Sequence, residues 1–249
     1  MNSVATSRVA IAPNVVLDAR LALFHEAERW LAVADLHFGY ELSQRAAGRL
    51  IPLWGMSSIE DRLGELLEEY RPRTLIIVGD LVHDKTSAVA AAGLLDRLRA
   101  RCEVIAVAGN HDRQIARRIA FVDRWETAGY VFHHGHCSSE ESARVQIIGH
   151  HHPAATMTDG AGLRLKFPAF VQQKRCWILP ALSPWASGTA WSTLDESRVW
   201  LCTPKRILCF DGGAAFSARP APSCNAGSAS LSSGSSSHTR GNPSKPAAR

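Results

Sequence analysis

The sequence predicts an α/β protein in which β-α-β units come first and the later strands form a second sheet or a sheet edge. Two observations carry this expectation. As far as Ile148, short apolar runs alternate with amphipathic segments, and after Gly162 strand-like runs follow one another without intervening helices. The alternating half builds a sheet covered by its crossover helices, and the meander that follows needs a sheet or edge of its own.

Residues 15–17 and 21–25 read as a strand pair, and Trp30–Ala34 (WLAVA) as a short buried strand ending at Asp35. Residues 38–56 show no clear element and carry Arg45 and Arg49. Residues 57–70 predict a helix: a Ser cap, early Glu60 and Asp61, then Ile59, Leu63, Leu66 and Leu67 on one face. Thr74–Val78 (TLIIV) is a second buried strand, ending at Gly79-Asp80, and residues 87–100 are a second helix. Residues 104–107 form a third strand, ending at Gly109-Asn110, with 130–132 and Val145–Ile148 as the fourth and fifth. The meander comprises 163–167, 170–172, 176–179, Arg198–Cys202 and 207–210.

Composition bounds the class. With 249 residues, 46% hydrophobic and 20% charged, most of the chain is globular rather than disordered or fibrous. No apolar run approaches the roughly 18–20 residues that cross a bilayer. The N-terminal apolar stretch is broken by Asn14 and Pro13 and makes a poor signal peptide, so a cytoplasmic location is expected. Net charge is +5, but Arg219, Arg240, Lys245 and Arg249 account for most of it. The basic balance is therefore no sign of a nucleic-acid-binding surface on the fold. Ser, Ala, Pro and Gly dominate from 217 onward with no aromatic residue, so one domain is expected over 1–213 and a disordered tail over 214–249. The six cysteines include no C-x-x-C pair and predict reduced, buried thiols rather than a zinc-thiolate site.

The chemistry sits in five short segments that each follow an apolar strand: Asp35-Leu36-His37, Gly79-Asp80, Gly109-Asn110-His111-Asp112, His133-His134-Gly135 and Gly149-His150-His151-His152. Ligand sites on α/β sheets lie at the carboxyl ends of strands. Carboxylate, imidazole and amide oxygen without thiolate suit Mn, Fe, Zn, Ni or Co. Alternation along an extended segment lets Asp35 and His37 reach one ion while Leu36 faces the core, and pairs His150 with His152 while His151 turns away. Glycines before Asp80, Asn110 and His150 let the backbone turn sharply. Any one segment alone is weak; the ordered set is not.

That set resembles the calcineurin-like metallophosphoesterases, whose motifs are D-x-H, G-D, G-N-H-[DE], H and G-H-x-H. The resemblance implies a four-layer sandwich of two packed mixed β-sheets flanked by helices, and a site for two divalent ions. One ion would take Asp35, His37, Asp80 and His152, the other Asp80, Asn110, His134 and His150, with Asp80 bridging. His111 would be the general acid or transition-state donor, oriented by Asp112. At the fourth motif the family pattern favours His134, with His133 as its rival and His136 as a solvated loop residue. His83 is a candidate for substrate contact at the rim.

A narrower resemblance, covering about residues 10–212, is to the bacterial ligase-associated DNA damage response endonucleases. It rests on ADLHFGY, GDLVH, GNHDR, FHHG, GHHHPA and the late FPAFV…WILPALSPWASGT segment. It implies a Mn-dependent DNA phosphodiesterase that works with a DNA ligase and a helicase. The chain departs from that family's pattern at Leu182-Ser183-Pro184-Trp185, which bears on the rim of the site. The alternative reading is a phosphoesterase for a small nucleotide or phosphomonoester; a non-catalytic scaffold is disfavoured because every ligand is present. Two ions about 3.5–4 Å apart would supply hydroxide for in-line attack and neutralise the phosphoryl oxygens. No nucleophile elbow is present for a covalent route.

Overall fold

A computed structural model describes residues 7–136, 142–158, 161–191 and 197–211. Its strands, in chain order, are β1 Arg8–Ala12, β2 Val15–Asp18, β3 Ala22–His25, β4 Trp30–Ala34, β5 Thr74–Val78, β6 Glu103–Val107, β7 Trp125–Glu126, β8 Tyr130–His133, β9 Val145–Ile148, β10 Pro153–Thr158, β11 Arg164–Gln172, β12 Cys176–Ile178, β13 Thr189–Ala190, β14 Arg198–Cys202 and β15 Ile207–Asp211. The helices are α1 Tyr40–Ala46, α2 Gly55–Tyr70 and α3 Ala88–Arg99. Residues 214–249, with Cys137 and Cys224, lie outside the described residues.

β1 to β6 form a six-stranded sheet in chain order, antiparallel through β4 and parallel from β4 to β6. Every residue of β4 and β5 is buried, which is why both read as unbroken apolar runs. The crossovers are helical. α2 buries Ile59, Leu63, Leu66 and Leu67, and α3 buries Ala91, Leu94, Leu95 and Leu98.

A second, nine-stranded mixed sheet runs β13-β10-β11-β12-β9-β8-β7, with β14 on β11 and β15 on β14. It packs on the first through aromatic rings: Trp30 lies 5.1 Å from Phe132 and 5.3 Å from Tyr130. Phe170, Trp177 and Trp200 belong to the same core, while the alternate residues Ala169, Val171, Val199 and Leu201 build a second apolar cluster with Trp191. Two mixed sheets with helices are thus the α/β architecture expected.

Several boundaries differ from expectation. α2 starts at Gly55, two residues before Ser57, and takes no side-chain cap. The stretch without a clear element holds α1. β11 is one strand where two were expected. Pro168 lies inside it because partners change there: β10 pairs up to Pro168, and β14 takes over from Ala169. β1, β7, β10 and β13 were not expected. Of the thiols, Cys202 is buried and pushed up to about 12 by that burial, but Cys209 is exposed.

Candidate metal centre

The expected ligands converge in two groups at the carboxyl ends of β4, β5, β8 and β9. Asp35, His37 and His152 bring one donor atom each within 4.8 Å of one another, and so do Asp80, His134 and His150. His37 Nε2 is 3.3 Å from His152 Nε2, and Asp35 Oδ2 is 3.6 Å from that same nitrogen. In the second group His134 Nε2 is 3.1 Å from His150 Nδ1, 3.1 Å from Asn110 Oδ1 and 3.4 Å from Asp80 Oδ2. Asp80 Oδ2 is also 3.8 Å from His37 Nε2, which puts this carboxylate between the groups.

The convergence does not come from strand alternation. Asp35, His37, Asp80, His150 and His152 all have left-handed backbone, with φ between 37° and 66°. Each chain segment coils away from its strand end, so His150 and His152 enter different groups rather than one. Non-glycine residues in this region carry strain that concentrates at functional sites. Interlocking bonds hold it: Asp35 Oδ2 accepts from the His150 N–H at 2.8 Å, Asp80 Oδ1 from the His111 N–H at 3.0 Å, and the Asp80 carbonyl from the His37 N–H at 2.9 Å. The glycines serve close approach more than turning. A Cβ on Gly79 would sit 1.8 Å from His134 Nδ1, and one on Gly109 would sit 2.1 Å from Asp80 Oδ1.

His134 is buried in the second group, whereas the His133 ring is 2.9 Å from Gln146 Oε1 on the neighbouring strand. His136 is not the solvated residue expected: its ring lies 5.2 Å from that of His134. His151 packs 6.0 Å from Trp191. His25 is a core residue between Trp30 and Tyr130.

His111 stands beside the groups, its ring 5.1 Å from that of His37. Asp112 does not orient it. The Asp112 carboxylate is spent on three backbone N–H groups, those of Gly109 (2.9 Å), Leu81 (3.2 Å) and Val82 (3.2 Å), and so clamps the β5 and β6 exit loops together. The His111 ring is held instead by Nδ1–H donating to the His83 carbonyl at 2.7 Å, which leaves Nε2 available. The His83 ring stacks on it at 5.2 Å.

The electrostatics suit cations. Burial pushes His37 down to about 3 and His150 down to about 4, so both imidazoles stay neutral and able to ligate. Burial works to raise the Asp80 carboxyl, but the His134 ring, the His111 N–H and His37 hold it well below the carboxylate range. Burial raises Asp35. Asp35 Oδ1 is buried without a hydrogen-bond partner, 3.5 Å from His134 Nδ1. His37 and His134 both turn Nε2 toward the other donors. Two carboxylates, four imidazoles and an amide oxygen without thiolate fit a pair of divalent ions.

Residues 29–167 match the calcineurin-like phosphoesterase family. The chain belongs to that family. As a calcineurin-like phosphoesterase it is a metal-dependent phosphoester hydrolase, and the Asp/His groups are where its divalent metals fit. Among solved structures it is similar to Pseudomonas putida nuclease MPE, at 25% identity and a TM-score of 0.67, over 82% of this chain and 100% of that one. It also matches YfcE, a phosphoesterase from E. coli, at 16% identity and a TM-score of 0.40, over 70% of this chain and 88% of that one. No curated protein sequence matches it. No helix among the described residues is long and apolar enough to cross a membrane.

Sequence reasoning placed His83 and Leu182–Trp185 at the rim but missed the aromatic path that joins them. Tyr40 lies 4.8 Å from His83, and the path continues to Trp185 at 5.9 Å from Tyr40 and Trp54 at 4.9 Å from Trp185. The one available signal was the departure from the narrower family at Leu182–Trp185, which is where this rim is built.

Proposed function

We propose that the chain is a Mn-dependent DNA phosphodiesterase acting as an endonuclease in DNA repair. One observation carries the reading: the likeness to nuclease MPE extends over the whole of that chain. In this reading Asp35, His37 and His152 would hold one ion, Asn110, His134 and His150 the other, and Asp80, placed between the groups, would be shared by both. When bound, two divalent ions supply an activated water and neutralise the phosphoryl oxygens. His111 Nε2 delivers a proton to, or hydrogen-bonds, the leaving oxygen, its ring fixed by the His83 carbonyl. Asp112 keeps the two exit loops in register. Arg113, on the wall of a cavity of about 580 Å³ shared with His134 and His136, is placed to meet a strand's phosphates. A working association with a DNA ligase and a helicase in the cytoplasm belongs to the same reading.

The test is hydrolysis of single-stranded DNA, duplex DNA, bis-p-nitrophenyl phosphate and a nucleoside monophosphate across Mn, Mg, Fe, Co, Ni and Zn. Cleavage of DNA and the diester, strongest with Mn, is expected. Efficient hydrolysis of the monophosphate with no DNA cleavage at low salt would replace this reading with the small-substrate one.

A further inference from the structure

We propose that Trp54, Trp185 and Tyr40 form a stacking platform that takes an unpaired nucleobase of the substrate strand beside the scissile phosphodiester. The inference rests on the DNA reading above and adds a base-binding subsite to it.

The rings form a continuous path. From Trp54 it runs to Trp185 (4.9 Å), Tyr40 (5.9 Å), His83 (4.8 Å) and His111 (5.2 Å), so it starts at the surface and ends on the group that faces the leaving oxygen. Trp54 is 48% exposed, with Leu50 at 95% and Leu53 at 48% just before it. Such apolar exposure beside a polar centre marks a binding surface.

The platform is anchored. The Trp185 indole N–H donates to Glu41 Oε2 at 3.1 Å, and Glu41 Oε1 accepts the Met56 N–H at 2.7 Å. Glu41 is only 1% exposed, so a buried carboxylate is committed to fixing a rim tryptophan at the start of α2. Gly55 completes the seat: a Cβ there would lie 2.1 Å from Trp185 Nε1.

The exposed ring selects a base by its π-face. Trp54 also walls a cavity of about 740 Å³ whose lining holds Arg20, Arg62 and Lys166 beside Asp61 and Glu65, so a phosphate of the same strand can lie next to the stacked base. Every nucleobase has a π-face, so stacking is sequence-tolerant. A base inside a duplex is already stacked on its neighbours and cannot be offered to Trp54. The subsite therefore selects single-stranded or locally opened DNA.

The experiment uses the full, metal-loaded chain and a single-stranded oligonucleotide, intact or with one abasic site stepped along it. For the wild type, an abasic site at one fixed distance from the cut should raise KM by on the order of 10- to 100-fold, and by little elsewhere. Trp54→Ala should raise KM on the intact strand by a similar factor with a smaller change in kcat. Trp54→Phe should restore most of the loss. In Trp54→Ala the abasic site should cost nothing further, a non-additivity that a structural role for Trp54 does not produce. A flat wild-type abasic scan, or equal abasic losses in wild type and Trp54→Ala, overturns the platform while DNA cleavage itself stands. The wild-type scan decides the matter even if a variant fails to fold. Absence of any DNA cleavage by the wild type, with bis-p-nitrophenyl phosphate still hydrolysed, overturns the DNA reading and the platform together.

Discussion

Removing the Asp112 carboxylate should unfasten the active centre without touching a metal ligand. Asp112→Ala leaves the buried N–H groups of Gly109, Leu81 and Val82 without their acceptor. Hydrogen bonds to a charged group contribute about 1.5–3 kcal/mol each. A buried donor left unsatisfied costs about 1–3 kcal/mol, and because the three share one carboxylate their losses do not simply add, so about 3–5 kcal/mol in total is expected. For a domain of this size each kcal/mol moves the thermal midpoint by about 2–4 °C, so a drop of about 6–20 °C is expected. Asp112→Asn should also be destabilised, because its amide presents N–H to N–H. The assay is thermal unfolding without added metal. The His111 ring should stay in place in the variant, because the His83 carbonyl, not Asp112, holds it. Wild-type stability in both Asp112→Ala and Asp112→Asn would refute this and return Asp112 to the role of orienting His111.

Asp80→Asn should lose dinuclear occupancy and lower turnover by orders of magnitude; two ions per chain with full activity would sink the bridging assignment. His111→Ala should keep its metal content but lose about 10²–10⁴-fold in kcat, whereas loss of metal would make His111 a ligand. Gly79→Ala places a methyl 1.8 Å from His134 Nδ1 at a φ of +77°, so metal affinity should fall sharply, checked by metal analysis after dialysis. The last prediction concerns acid stability. Burial works to raise Asp18, but hydrogen bonds from Arg20 and Tyr70 leave it lowered from 3.8. A depressed folded-state pKa gives stability that is present above about pH 4 and lost as pH falls through the folded value. Asp18→Asn should therefore destabilise most near neutrality, with the gap to wild type closing in acid; a gap constant from pH 7 to 2 would contradict the assignment.

The candidate ligands were legible because each is a chemically capable residue directly after a run such as WLAVA or TLIIV, and buried parallel strands announce themselves. How the ligands converge was not legible. A D-x-H spacing fits both an extended strand and a left-handed coil, and only the backbone shows that Asp35 and His37 take the latter. β1 is a half-buried strand closed by Pro13, α1 has seven residues and no side-chain cap, and β10 begins with Pro153, so each lacks the periodicity that long elements display. The pairing that builds the rim was hidden for another reason: Glu41 and Trp185 are 144 positions apart, and nothing local in either segment points to the other.

Each ligand group draws on both sheets. Asp35 and His37 follow β4 and Asp80 follows β5, while His134, His150 and His152 come from β8, β9 and the start of β10. His37 and His152, which face one another, are 115 positions apart. An ion held by either group would therefore clasp halves of the chain made at different times. Synthesis from the N-terminus delivers the first carboxylates and His37 well before their partners, so neither candidate group closes until the second sheet docks on the first. Metal loading would in this sense be the last step of assembly, and a chain holding its ions would have both halves in place.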